Sequence, residues 1–363
     1  MPPKVILVDI VEPRLSPEES LARLNELESL VVTYGGFVVV RKIQKRQMPD
    51  YEYYVGKGKV KEISEEAVAL KAEFIIVNNI LKPSQLYNLE KLFEKHGIKV
   101  WDRIDLILEI FEKHAVTREA KLQIELARLR HFGPRIFKMG TELAQQKGGG
   151  AITRGLGETN IEIMKRHIRG RERKVREDLA KIERDHERQR ARRADQGFKS
   201  VAIVGYTNAG KSALLNALTR KGVKVKDELF ATLDSRIGKL YLPDTGKSVL
   251  VSDTIGFIRD LPPELIHAFH STLAEAVYAD LLLIVIDIND MEMEWKIEVV
   301  HKVLGELGCA DKKILYVFNK IDLLYSIPQE ELAEKYREFD PVFVSAEKKI
   351  GLETLKGKIA RCL

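Results

Sequence analysis

The chain has 363 residues, more than one hydrophobic core ordinarily holds, so two or three domains are expected. Hydrophobic content of 45% and charged content of 31% exclude a disordered or fibrous chain, and the net charge of +6 is modest. Two cysteines, Cys309 and Cys362, far apart in sequence and without His or Cys neighbours at metal-ligand spacing, give no disulfide framework and no zinc motif, and the longest apolar run (281–286) is too short for a bilayer, so a reducing cytoplasm is expected and membrane insertion is not.

Residues 1–115 alternate short β-branched runs at 5–10, 37–43, 74–77 and 98–101 with helical patterns at 18–31, 59–70, 84–94 and 104–112. That βαβαβαβα order predicts a small parallel sheet. A helix follows at 117–137, with Leu122, Leu126 and Leu129 on one face, and Gly133-Pro134 is expected to break it. Gly148, Gly149, Gly150, Gly155 and Gly157 then predict a flexible loop over about 138–158. From 159 to 193 there is one Gly, no Pro, and an apolar residue every seven positions (Ile161, Ile168, Val175, Ile182), which predicts a long helix. Its companion positions Arg171 and Asp178 are polar, so a hairpin against the 117–132 helix and a monomeric chain are expected, not a coiled-coil dimer. This stretch carries 13 Lys and Arg against 7 Asp and Glu, the whole of the net positive charge. The domains are therefore read as 1–115, 116–196 (helical hairpin and linker) and 197–363.

The third domain opens on an apolar strand at 200–204, followed by Gly205-Tyr206-Thr207-Asn208-Ala209-Gly210-Lys211-Ser212 and an apolar helix beginning with Ala213. This is a phosphate loop in its required strand-loop-helix setting. Its glycines let successive N–H groups converge on phosphates, Lys211 adds a cation, and the Ser212 hydroxyl ligates Mg²⁺. Asp253-Thr254-Ile255-Gly256 follows a second strand. There Asp253 is expected to hold Mg²⁺ through water and the Gly256 N–H to meet the γ-phosphate. Asn319-Lys320-Ile321-Asp322 follows a third strand and selects guanine, because Asp322 accepts from both N–H groups of its Watson–Crick edge while Lys320 packs along the ring. Ser345-Ala346 is expected to offer a backbone N–H to the guanine O6. In Phe230-Ala231-Thr232-Leu233-Asp234, Thr232 is the expected switch threonine that completes Mg²⁺ coordination, with Thr219 as the alternative.

These motifs predict a GTP- and GDP-binding α/β protein: a small parallel α/β domain, a long helical hairpin linker and a P-loop GTPase domain with a mostly parallel sheet flanked by helices. Lys211, Thr232 and Gly256 are its expected catalytic set. Phe257 stands where many GTPases place the glutamine that orients water, and Thr207 adds bulk where an arginine finger would enter, so slow intrinsic turnover is expected. Asn208 is the candidate ligand for a K⁺ beside the phosphates. His267 and His270 lack a third ligand and are not read as a metal site.

The chain also resembles the HflX family of ribosome-associated GTPases over nearly its whole length. The resemblance rests on Tyr54-Val55-Gly56-Lys57-Gly58-Lys59, Pro83-Ser84-Gln85-Leu86, Asp102-Arg103, Thr117-Arg118-Glu119, Arg154-Gly155 with Gly157-Glu158-Thr159, and Asp253 through Pro262. Three positions depart from the family pattern: Leu156 and Ser235 stand where proline is usual, and Ala213 where a hydroxyl residue is usual. The resemblance implies binding of the large ribosomal subunit and splitting or rescue of ribosomes. The alternative is an RNA-binding GTPase coupled to RNA modification or remodelling without ribosomes. A protein that holds GTP as a structural ligand is a third reading, prompted by Phe257.

Overall fold

The computed structural model describes residues 2–146, 151–219, 229–230, 236–259, 270–324 and 329–363. They form two compact units, Met1–Lys113 with Leu122–Asp178, and His114–Lys121 with Leu179–Leu363. The helical segment read from sequence as one stretch is divided between them.

The first unit follows the expected alternation: β1 (Lys4–Val11), α1 (Pro17–Tyr34), β2 (Phe37–Lys45), α2 (Lys57–Leu70), β3 (Phe74–Val77), α3 (Pro83–Glu94), β4 (Lys99–Asp102) and α4 (Arg103–His114). The strands run parallel in the order β2-β1-β3-β4. Inner strands β1 and β3 read as near-continuous apolar runs because helices cover both faces of such a sheet. Helix α1 begins with a reciprocal cap, the Glu19 N–H donating to Ser16 Oγ (3.1 Å) and the Ser16 N–H to Glu19 Oε2 (3.0 Å).

A buried polar network fills the carboxyl end of this sheet. Asp9 of β1 accepts from Asn78 Nδ2 (2.8 Å) and Arg23 Nε (3.2 Å), while Arg103 donates to Asn78 Oδ1 and Glu26 Oε1, both at 2.8 Å. Helix α5 (Arg118–Gln146) adds Arg135, which donates to Asp105 Oδ1 (2.8 Å) and Asp102 Oδ2 (2.5 Å). Burial pushes the Asp102 carboxyl up, but the hydrogen bond from His131 and the charge of Arg135 outweigh it and hold it below its usual range. Asp102, Asp105 and His131 bring their ligand atoms within 4.8 Å of one another, as a metal site would, yet the Arg135 guanidinium lies among the same atoms and supplies the cation itself. Replacing Arg135 by Met leaves two buried carboxylates without their main countercharge and is expected to cost about 3–5 kcal/mol. Urea unfolding followed on the full chain checks this, and a loss under about 1 kcal/mol would refute the buried-pair account.

Two expectations about the helices are corrected. Helix α5 runs on through Gly133-Pro134 to Gln146, and α6 occupies Ala151–Asp195, so helix replaces most of the loop expected over 138–158. His131 and Arg135 lie one helical turn apart and reach the same carboxylates, so those ion pairs favour the continued helix and offset the proline's missing donor. Gly155 and Gly157 each cost about 1 kcal/mol in a helix, too little to end one of 45 residues. Within the first unit α6 lies along α5, with Val175 buried, Arg130 paired to Glu172 at 3.3 Å, and Arg171 to Glu125.

The second unit contains β5 (Ser200–Gly205), α7 (Lys211–Thr219), β6 (Arg236–Leu242), β7 (Lys247–Asp253), α8 (His270–Tyr278), β8 (Leu281–Asp287), α9 (Met293–Glu306), β9 (Ile314–Asn319), α10 (Gln329–Lys335), β10 (Val342–Phe343) and α11 (Leu352–Cys362). Its sheet order is β10-β9-β8-β5-β7-β6, parallel throughout except for β6 against β7. Val201, Ile203, Leu214, Leu215, Leu283, Val285, Val317, Leu355 and Ile359 form its core. Because β5, β7, β8 and β9 are parallel, their carboxyl ends deliver the phosphate loop, Asp253, Asp287 and Asn319 to one edge, where such sheets bind ligands. Among the described residues no helix is long and apolar enough to cross a membrane.

Candidate nucleotide site

The phosphate loop turns directly out of β5. Gly205 and Gly210 have φ of 151° and 92°, and Asn208, also left-handed at 62°, exposes its side chain at the crown of the loop. Tyr206, Thr207 and Lys211 are buried. The Lys211 ammonium donates to the Tyr206 carbonyl at 2.7 Å, and the Ser212 hydroxyl to Asp253 Oδ2 at 2.6 Å. That hydroxyl and a wholly buried carboxylate are hard oxygen donors, the kind Mg²⁺ takes alongside phosphate oxygens and water. Ala213, in the first turn of α7, packs against the core of the unit.

Gly256 lies against this loop so closely that a Cβ there would stand 2.9 Å from Lys211 Nζ and from Thr207 Cγ2. The next residue, Phe257, is fully buried and ties the two segments together: its N–H donates to the Gly205 carbonyl (3.1 Å) and its carbonyl accepts from the Thr207 N–H (2.8 Å). Where a water-orienting glutamine would extend, the chain instead has a main-chain bridge and an apolar plug.

Asn319 fastens the base side to the phosphate side. Its Nδ2 donates to the Ala209 carbonyl (2.9 Å) and its Oδ1 accepts from the Ala346 N–H (3.0 Å). Ser345 is buried and its N–H donates to the Ile350 carbonyl at 3.1 Å, so both amides considered for the guanine O6 have protein acceptors here. Asn319 uses the Ala346 amide to close the ring of loops. Lys320 is left-handed (φ 67°) and its ammonium pairs with Asp287 at 2.7 Å, while Asn289 Nδ2 donates to the Lys320 carbonyl at 2.9 Å. Asp287 and Asn289 were missed from sequence. Their signal is an acidic residue and an amide closing the apolar strand β8. Asp322 stands half-buried in the 3₁₀ turn Ile321–Leu323, and among the described residues its carboxylate has no protein hydrogen bond or ion pair.

The expected switch residues Ala231 and Thr232 lie outside the described residues, as do His267 and the side chain of His270; Phe230, just before them, is buried with φ of 58°. Thr219, the alternative switch threonine, donates its hydroxyl to the Leu215 carbonyl at 2.7 Å and is bound into α7.

Family models for a GTP-binding GTPase N-terminal region, a GTP-binding GTPase middle region and a 50S ribosome-binding GTPase match residues 21–112, 114–193 and 200–320. GTPase HflX of Caldanaerobacter subterraneus subsp. tengcongensis is 45% identical over 358 residues, which are 99% of this chain and 80% of that protein. The chain belongs to the HflX family of GTPases. GTPase HflX of Escherichia coli K12 is 39% identical over 352 residues, covering 95% of this chain and 82% of that one. Among solved structures, a crystal structure of SsGBP in complex with GDP aligns with a TM-score of 0.53 at 28% identity, over 99% of this chain and 98% of that one. As a member of this family the chain is a GTPase, with GTP and GDP as its nucleotides and Mg²⁺ as the ion such domains generally use.

Burial lowers the Lys211 ammonium to about 8, against the opposing pull of Asp253. Phosphates placed beside it favour the charged form and raise that value, so above about pH 8 the complex holds more protons than the free protein. GDP affinity is therefore expected to fall as pH rises from 8 to 9. Calorimetry at pH 8.5 in two buffers of different ionisation enthalpy should show net proton uptake on GDP binding, absent in Lys211→Met.

Proposed function

We propose that this GTPase works on the large ribosomal subunit, in the cytoplasm and as a monomer, with intrinsic turnover kept slow until that subunit engages it. The observation that carries the proposal is the match of a 50S ribosome-binding GTPase model to the nucleotide domain, within a full-length likeness to GTPase HflX. The basic helix α6 supplies charge of the sign that rRNA phosphates attract. Splitting or rescue of ribosomes is the further step, driven by the change at the switch segments when GTP becomes GDP.

At the site, N–H groups of the phosphate loop and the Lys211 ammonium bind the phosphates, and Asp322 orients the base. Ser212 and Thr232, with Asp253 through water, would hold Mg²⁺, which neutralises charge on the β and γ oxygens. The Gly256 N–H meets the γ-phosphate. Phe257 cannot hydrogen-bond water, which supports a low basal rate. Asn208 is exposed at the crown of the loop and, among the described residues, its side chain makes no protein hydrogen bond, which supports its use as a K⁺ ligand.

The test is GTP turnover in potassium buffer with and without purified large subunits. A basal rate on the order of 10⁻⁴ to 10⁻² per second, raised tenfold or more by the subunit, is expected. Equal rates with and without it would overturn the proposal, and stimulation by free RNA alone would favour an RNA-remodelling GTPase. Exchange of K⁺ for Na⁺ at constant ionic strength tests Asn208 separately, with a severalfold slowing expected.

A further inference from the structure

With Phe257 in place of a water-orienting side chain, hydrolysis depends on where the main chain of 256–257 is held. On one side the phosphate loop holds it through the Thr207 and Gly205 hydrogen bonds. On the other side the hold comes from α9, a helix fixed to the domain by Met293, Ile297, Val300, Val303 and Leu304.

Two residues beyond Phe257, the buried Arg259 places its guanidinium carbon 3.8 Å from the centre of the Trp295 ring and donates from Nη2 to Glu292 Oε1 at 2.6 Å. Glu292 and Trp295 are three residues apart at the start of α9, so they share a face and present a carboxylate and an aromatic surface to one cation. The same indole meets the phosphate loop: the Tyr206 ring lies 6.1 Å away, inclined at 65°. Lys296, paired with Asp290, covers Tyr206 at 5.0 Å from the ring centre. Trp295 thus touches the phosphate loop through Tyr206 and the Gly256–Arg259 segment through Arg259. It fixes the spacing of the two strips of main chain between which a γ-phosphate must fit.

We propose that Trp295 is a positioning residue for GTP hydrolysis, acting through Arg259 and Tyr206 to set the place of Gly256 and Phe257 beside the γ-phosphate. It touches no phosphate itself, so its loss changes the rate of the chemical step more than the binding of nucleotide. GDP lacks the γ-phosphate and its affinity should be nearly indifferent to the change. The proposal rests on the GTPase activity of this site and is independent of the ribosome.

The experiment is single-turnover GTP hydrolysis by Trp295→Leu, Trp295→Phe and Glu292→Gln in the full chain, with GDP affinity measured by calorimetry and folding by thermal melting. Trp295→Leu is expected to lower kcat about tenfold with KM and GDP affinity within twofold of wild type, and Trp295→Phe to restore most of the rate because it keeps an aromatic face for the cation. Glu292→Gln should give an intermediate loss. In a Trp101→Phe background the only indole is Trp295. Its emission should differ between the GDP form and a non-hydrolysable GTP-analogue form, and Arg259→Leu should remove the difference. A kcat for Trp295→Leu within twofold of wild type overturns the proposal, as does an equal fall in GDP affinity, which would mark Trp295 as ordinary structural packing. Absence of turnover in the wild type would instead count against the GTPase activity.

Discussion

Replacing Asp322 by Asn is expected to lower GDP affinity at least 100-fold, about 3 kcal/mol, and to make xanthosine diphosphate the better ligand. The guanine edge offers N1–H and N2–H₂, two donors that a carboxylate accepts together. An amide can accept only one and turns its own N–H₂ toward the other donor. Xanthine carries an oxygen at position 2, which that N–H₂ can meet. The variant should keep its loop, because the turn is built from backbone bonds, Ile321 N–H to the Val344 carbonyl (3.3 Å) and Leu323 N–H to the Lys320 carbonyl (3.0 Å), not from the Asp322 side chain. Competition of GDP and xanthosine diphosphate for the same labelled site measures the reversal. If Asp322→Asn still binds GDP within threefold of wild type, Asp322 does not read the base.

Much of the fold was legible because its elements are written locally. Strands β1 and β3 are apolar runs bounded by polar turns, and β1 to β4 and α1 to α4 fall within a few residues of their expected ends. The phosphate loop was equally plain, since its conformation depends on glycines and a lysine at fixed spacing within eight residues. What sequence did not yield depends on partners brought together by topology. Arg135 meets Asp102 and Asp105 across 33 and 30 residues, and the gain from those ion pairs explains why Gly133-Pro134 fails to end α5. Asn319 was legible as part of a base-reading motif but not as the tie between Ala209 and Ala346, because that requires knowing that β10, β9, β8 and β5 follow one another in the sheet and end at one edge. Nothing in the sequence singles out Trp295, and only the approach of Arg259 and Tyr206 gives it a part to play.

Gly210→Ala is the second large effect expected, a loss of GDP affinity of 100-fold or more, and it has two separable causes. Gly210 sits at φ 92°, a conformation that costs an alanine about 1–2 kcal/mol by itself. The added Cβ would also stand 2.2 Å from Asn319 Nδ2, closer than any contact permits, so the Asn319 amide must leave the Ala209 carbonyl. Asn319 then also loses its hold on the Ala346 N–H, and the disturbance passes from the phosphate loop to the base loop. Gly246→Ala separates the causes: it has a similar left-handed φ of 63° with nothing within 4 Å of the new carbon, and lies in the turn between β6 and β7. It should cost about 1 kcal/mol of stability and leave GDP affinity unchanged. Because Gly210→Ala acts largely by displacing Asn319, adding Asn319→Ala to it should cost much less than Asn319→Ala costs alone. Full additivity in that double-mutant cycle would mean that backbone strain alone accounts for the glycine and that Asn319 does not couple the two loops.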